Sequence, residues 1–102
     1  TLHRRTGKHI PELRNMKRGK VLQTAFKLIF GSRSEKYGPP LTNHQRIAAG
    51  WSVIFEQDVT PSQVVKALIW LKLARLVYGN DEDSWVDIAG YAAIGSEVAD
   101  DE

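Results

Sequence analysis

Two groups of polar residues sit at helical spacing beside apolar stretches, and each could carry chemistry. Lys72 and Arg75 are three apart and Asp87 and Tyr91 four apart, so each pair projects from one side of a helix. Asp87 lies inside Trp85-Val86-Asp87-Ile88-Ala89, where a lone carboxylate would be costly to bury. The short Gly79–Asp83 connection makes the two segments antiparallel neighbours, which sets Lys72 or Arg75 opposite Asp87. Two readings follow. One is an inter-helix ion pair joined by the Tyr91 hydroxyl. The other is a cationic ligand site whose side chains Asp87 and Tyr91 hold in place.

The second group is Arg33, Tyr37 and Gly38, followed by Asn43, His44 and Arg46 at the start of a helix. Unpaired N–H groups at a helix start, with Arg33, Lys36 and Arg46 near them in sequence, suit a phosphate. The competing reading has Tyr37 plugging the end of a bundle and Arg46 facing water. The histidines, His3, His9 and His44, offer no pair at metal-ligand spacing on a predicted helix.

The elements that must position these residues are helical. From Met16 the spacing puts Val21, Leu22, Ala25, Phe26 and Ile29 on one face, and Gly31 is expected to end that helix as a left-handed cap. Residues 32–41 then read as a loop around Gly38-Pro39-Pro40. A second helix is expected from Thr42, with Gln45 completing a capping box, up to Glu56-Gln57-Asp58. Thr60, Pro61 and Gln63 give a stronger start for a third, reaching about Tyr78 and apolar almost all round. Such a helix is either central in its bundle or covered by another subunit, which raises the prospect of a homodimer. A fourth follows Asp81-Glu82-Asp83 with Ser84 as its cap, and residues 100–102 are expected to fray. No segment alternates as a strand does. The expected fold is all-α: a four-helix domain over residues 16–102, preceded by a basic flexible arm over residues 1–15.

Charge divides along the same line. Residues 1–40 carry ten Lys or Arg against two Glu, a net of +8, while residues 41–102 net −6. The overall +2 of this 102-residue chain therefore hides two unlike parts. With no cysteine, disulfides, thiolate metal sites and cysteine nucleophiles are excluded. No apolar run approaches the roughly 20 residues a membrane helix needs. Val21–Phe30, interrupted by Gln23, Thr24 and Lys27, does not read as a secretory signal. No membrane partner is expected.

From Gly31 onward the chain resembles a family of small phage- and prophage-encoded proteins of unknown function. The resemblance rests on Gly31-Ser32-Arg33, Tyr37-Gly38-Pro39-Pro40, Asn43 with Arg46-Ile47-Ala48 and Trp51, and Thr60-Pro61. It continues through Lys72-Leu73-Ala74-Arg75-Leu76 and Asp83 with Trp85-Val86-Asp87-Ile88-Ala89-Gly90-Tyr91-Ala92. It covers about residues 20–98. More loosely, by helical layout, it is similar to the all-α MazG-type nucleoside triphosphate pyrophosphohydrolases, which hold magnesium with paired carboxylates on two helices. Here the second helix begins Thr42-Asn43-His44-Gln45-Arg46 and offers no such pair, while Asp83 and Asp87 on the fourth make half a magnesium site.

The leading expectation is a phage-encoded accessory protein of the host cytoplasm that binds a phosphorylated ligand, a nucleotide by preference. Arg33, Tyr37, Asn43, Arg46, Lys72 and Arg75 would contact the ligand, supported by Asp87 and Tyr91, with no catalytic residue and no cofactor. A second expectation is a nucleic-acid or host-protein binding module using residues 1–20, through Arg4, Arg5, Lys8, Arg14, Lys17, Arg18 and Lys20. The third is the pyrophosphohydrolase, with Asp83 and Asp87 as magnesium ligands.

Overall fold

The structure is a computed structural model that describes residues 16–102, so the expected arm lies outside the described residues. Four helical rods account for nearly all of them, and no strand occurs among them. The first rod is α1 (Lys17–Lys27), a π-helical turn (Leu28–Ser32) and α2 (Arg33–Tyr37). It is followed by α3 (Pro40–Phe55), α4 (Pro61–Tyr78) and α5 (Glu82–Asp100). The expected all-α class and four-rod layout are what the chain forms.

Gly31 does not stop the first rod. The Arg33 N–H donates to the Leu28 carbonyl five residues back, so the chain widens by one residue and continues. The stop comes at Gly38, whose φ of +81° and ψ of −171° are open to glycine but are not the left-handed helical cap expected of Gly31. The span expected to be a loop is thus largely helical. Glu35 and Lys36 suit a helix, and the cost of about 1 kcal/mol for a glycine inside one is small enough for packing to offset.

The second start also lies earlier than the spacing suggests. α3 begins at Pro40, which needs no N–H partner in a first turn, and no side chain caps it. The Thr42–Gln45 capping box does not form, because both residues are already inside the helix. At its far end, Glu56 takes a left-handed φ of 55° and closes α3. Ser52 secures the following turn: its hydroxyl donates to the Ala48 carbonyl at 2.8 Å and accepts from the Val59 N–H at 2.9 Å.

α4 opens with the expected capping box, Gln63 N–H to Thr60 Oγ1 at 3.2 Å and Thr60 N–H to Gln63 Oε1 at 2.9 Å. α5 is capped by Asp81 rather than Ser84. The Asp81 carboxylate accepts from both the Ser84 N–H (2.7 Å) and the Ser84 hydroxyl (2.8 Å). At the end of the chain, where fraying is expected, the Glu102 carboxylate accepts from the Ser62 N–H at 2.7 Å and its hydroxyl at 3.1 Å.

α5 is the hub, packing against α1, α3 and α4. Val65 of α4 with Ile94 and Val98 of α5 form the core cluster, flanked by Ile29, Leu41, Ile69 and Tyr91. Close approach needs small residues. A Cβ at Gly90 would stand 3.1 Å from Ile29 Cγ2, and one at Gly95 3.1 Å from Val65 Cγ1. On α1 the buried side is narrower than its sequence face: Ala25 is buried and Ile29 half-buried, whereas Leu22 and Phe26 are exposed.

Candidate functional site

Asp87 is the node of the polar residues. Its Oδ2 lies 2.9 Å from Lys72 Nζ and its Oδ1 3.4 Å from an Arg33 guanidinium nitrogen. The Lys72 and Asp87 side chains are 14% and 16% exposed, the Arg33 side chain 42%. The short, shielded bond is therefore structural in character, while the Arg33 contact is longer and partly in water. The π turn places Arg33 there. Ile29 and Arg33, four apart across that turn, both meet α5, one against Gly90 and the other at Asp87.

Of the two cations expected opposite Asp87, Lys72 is the one that pairs. Arg75 is exposed in the last turn of α4, where a cation suits the helix dipole. The Asp81 carboxyl is held below its ordinary value chiefly by the Ser84 N–H, then by the Ser84 hydroxyl, with smaller help from Arg75 and Lys72. The Tyr91 hydroxyl makes no hydrogen bond to Asp87 among the described residues. Its ring packs on the core cluster instead.

A cleft of about 380 Å³ lies between the end of the first rod, the start of α3, and α4 and α5. Arg33, Tyr37, Asn43, His44 and Tyr91 supply its polar and aromatic walls. Ile29, Ile47, Leu68 and Ile94 supply an apolar floor. Beside it, a void of about 10 Å³ bordered by Arg33, Asp87 and Tyr91 has the size of one water. The cleft is in the size class of small-molecule sites, which combine apolar lining with a few placed polar groups.

Three of the six expected ligand contacts, Arg33, Tyr37 and Asn43, line this cleft. Lys72 stands outside it, behind Asp87. Arg46 is exposed on α3 and, like Arg75, does not line it. Tyr37 is 52% exposed, so it walls the cleft rather than plugging the bundle.

His44 is the wall residue whose sequence signal was weakest. Its Nδ1 lies 2.8 Å from the Pro40 carbonyl oxygen, which can only accept. Nδ1 therefore carries a proton and donates it to that carbonyl. The ring is 4% exposed, yet no fully buried side-chain nitrogen or oxygen among the described residues lacks a partner. His44 is one of the residues that line the cleft. A lone histidine near the expected helix start at Thr42 carries no sign of this placement, because the helix begins at Pro40.

The carboxylates do not fit a magnesium site. Asp87 is already neutralised by Lys72 and Arg33, and Asp83 is exposed on the first turn of α5. Among the described residues, no group of three or more His, Asp or Glu is placed to hold a metal ion. Of the basic residues considered for nucleic acid, Arg4, Arg5, Lys8 and Arg14 lie outside the described residues. Lys17, Arg18 and Lys20 are exposed at the start of α1. No described helix is long and apolar enough to cross a membrane.

Three helical rods packed on α5, with a cleft of polar walls and apolar floor between them, define a small all-α domain. The chain belongs to the family described as "Domain of unknown function (DUF6378)", which matches residues 20–99. It is 42% identical over 77 residues to the "Gene 55 protein" of Mycobacterium phage L5, covering 72% of this chain and 49% of that protein. It is 37% identical over 73 residues to the "Gene 55 protein" of Mycobacterium phage D29, covering 71% of this chain and 48% of the relative. The chain thus spans about half the length of the curated relatives it matches. No solved structure matches it. These relatives support the resemblance to a phage family and not the looser likeness to MazG-type enzymes.

Proposed function

We propose that this phage-type domain binds a small phosphorylated ligand carrying an aromatic ring, a nucleotide being the natural example, in the cleft between the first rod and α3. The observation that supports this is the convergence of Arg33, Tyr37 and Asn43 on one cleft of about 380 Å³. Core packing requires none of the three. Arg33 contributes a planar cation for a phosphate, and its 3.4 Å contact to Asp87 is long and partly in water. Tyr37 and Tyr91 offer ring faces for a base, and Asn43 offers hydrogen bonds to its edge. The host cytoplasm is the compartment in which such a ligand is met.

A calorimetric or thermal-shift titration with nucleoside mono-, di- and triphosphates tests this directly. Binding is expected at millimolar ligand or below and should weaken at least tenfold in Arg33→Ala. Arg46→Ala and Arg75→Ala should leave it unchanged, because neither side chain lines the cleft. No response to any nucleotide at millimolar concentration would sink the proposal.

A second reading keeps the basic residues of α1 and the segment before it as a nucleic-acid or host-protein contact. It is favoured by the cluster Lys17, Arg18 and Lys20, all exposed at one end of α1. Such binding would depend steeply on salt and be lost on removal of residues 1–20. The pyrophosphohydrolase reading would require Asp87 to exchange its two cations for a metal. Pyrophosphate release abolished by Asp87→Asn in a folded variant would restore it.

A further inference from the structure

Among the described residues, nothing covers a long apolar stripe on α4. Its inner side holds Val64 and Val65, both at most 2% exposed. Its outer side carries Trp70, Leu73, Ala74 and Val77, at the i, i+3, i+4, i+7 spacing that normally faces a core. Trp70 is 72% exposed and Val77 88%, with Leu71 and Tyr78 exposed on the flank. Scattered apolar residues on a surface need no explanation, but a stripe of this register does.

We infer that a second copy of this chain covers the stripe, α4 lying antiparallel to α4 of the partner about a two-fold axis between Leu73 and Ala74. In that register Trp70 meets Val77 of the partner subunit, and Leu73 meets Ala74 of the partner subunit. Ala74 and Ala67 keep the helices close. The exposed apolar side chains of the stripe and its flank offer roughly 600 Å² per copy, enough for an interface at the lower end of the standard class. Charge complements the fit at both ends. Lys66 stands on the same face, and no carboxylate lies within 4 Å of it among the described residues. The antiparallel register brings it to Asp81 and Glu82 of the partner subunit, both exposed at the start of α5. Two-fold symmetry makes that contact twice.

Light scattering and sedimentation of the full chain at 5–100 µM should give twice the 11.5 kDa chain mass. Trp70→Glu should weaken the dimer about thirtyfold or more while far-UV circular dichroism stays unchanged, because the side chain is exposed in the single chain. Phe26→Glu, at an equally exposed aromatic on α1, should leave the dimer intact. Lys66→Glu should weaken it several-fold and Glu82→Lys in the same chain restore it. In this cysteine-free chain, Ala74→Cys should cross-link to itself on mild oxidation and Ala99→Cys should not. A monomer at 100 µM overturns the inference, whether the stripe is then bare or covered by residues 1–15. So does a dimer that ignores Trp70→Glu or is broken by Phe26→Glu.

Discussion

Removing the Asp87 carboxylate would leave Lys72, only 14% exposed, without a counter-charge, whereas removing Arg33 would leave Asp87 still paired at 2.9 Å. The two cations therefore differ in role, and their variants should differ in kind. Asp87→Ala is expected to cost about 2–4 kcal/mol, the range for breaking a largely buried pair from one side. Replacing both partners, Lys72→Met with Asp87→Leu, should recover much of that, since apolar groups of similar size carry no desolvation penalty. Arg33→Ala should cost under about 1 kcal/mol, because its contact is long and half in water. Urea unfolding of the three variants checks the ordering, and an Arg33→Ala as costly as Asp87→Ala would refute it. Spacing within and between two adjacent helices is enough to set Lys72 or Arg75 opposite Asp87, and the packing of α4 on α5 selects Lys72. Arg33 is 54 residues from Asp87 and reaches it only through the π turn, so no local pattern announced it.

At the scale of elements, legibility follows how local each signal is. The capping box of α4 involves residues three apart and is present with both of its bonds. Thr60→Ala should therefore lower stability by about 1 kcal/mol, a fall in Tm of roughly 4–8 °C for a domain of this size. Ser84 is the expected cap of α5 but Asp81 provides it, because Asp81, Asp83 and Ser84 are all acceptable caps and only the chain path chooses among them. Asp81 makes that cap pH-sensitive. Its folded pKa lies below its ordinary 3.8, so its contribution is fully present above that value and is lost as pH falls through the folded one. The Tm deficit of Asp81→Ala should accordingly be constant between pH 5 and 8, shrink below about pH 4 and vanish at lower pH. A deficit that persists unchanged at pH 2 would show that the cap does not depend on the charge. Gly31 and Gly38 were separated by neither propensity nor spacing. The choice between them was made by packing, since only a rod that continues past Gly31 delivers both Ile29 and Arg33 to α5.

Among the described residues α1, α3 and α4 all meet α5, and two glycines of α5 stand at its close approaches to the first rod and to α4. The all-α class and the number of rods were legible because helical periodicity recurs in four stretches from Met16 onward. Which glycine serves contact and which serves a turn was not, because a helical glycine looks the same in sequence whether a neighbour touches it or not. Gly90 faces Ile29, whose half-buried side chain can shift, so Gly90→Ala should be close to neutral. Gly95 faces Val65, which is 2% exposed, with Cγ1 at 3.1 Å and Cβ at 3.9 Å from an added Cβ. A β-branched side chain sealed in the core has no open rotamer to retreat into. Overpacking of 1–3 kcal/mol should then outweigh the gain of about 1 kcal/mol in helix propensity, leaving Gly95→Ala destabilised by about 1 kcal/mol. Val65→Ala alone removes two buried methyl groups and should destabilise the fold on its own. Adding Gly95→Ala to that background should raise stability rather than lower it, because the clash is gone and the propensity gain remains. This change of sign in a double-mutant cycle measures how far the α4–α5 distance is fixed by the Gly95–Val65 contact. Additive effects would instead mean that α4 moves away from α5 at little cost, so that the contact does not fix the distance.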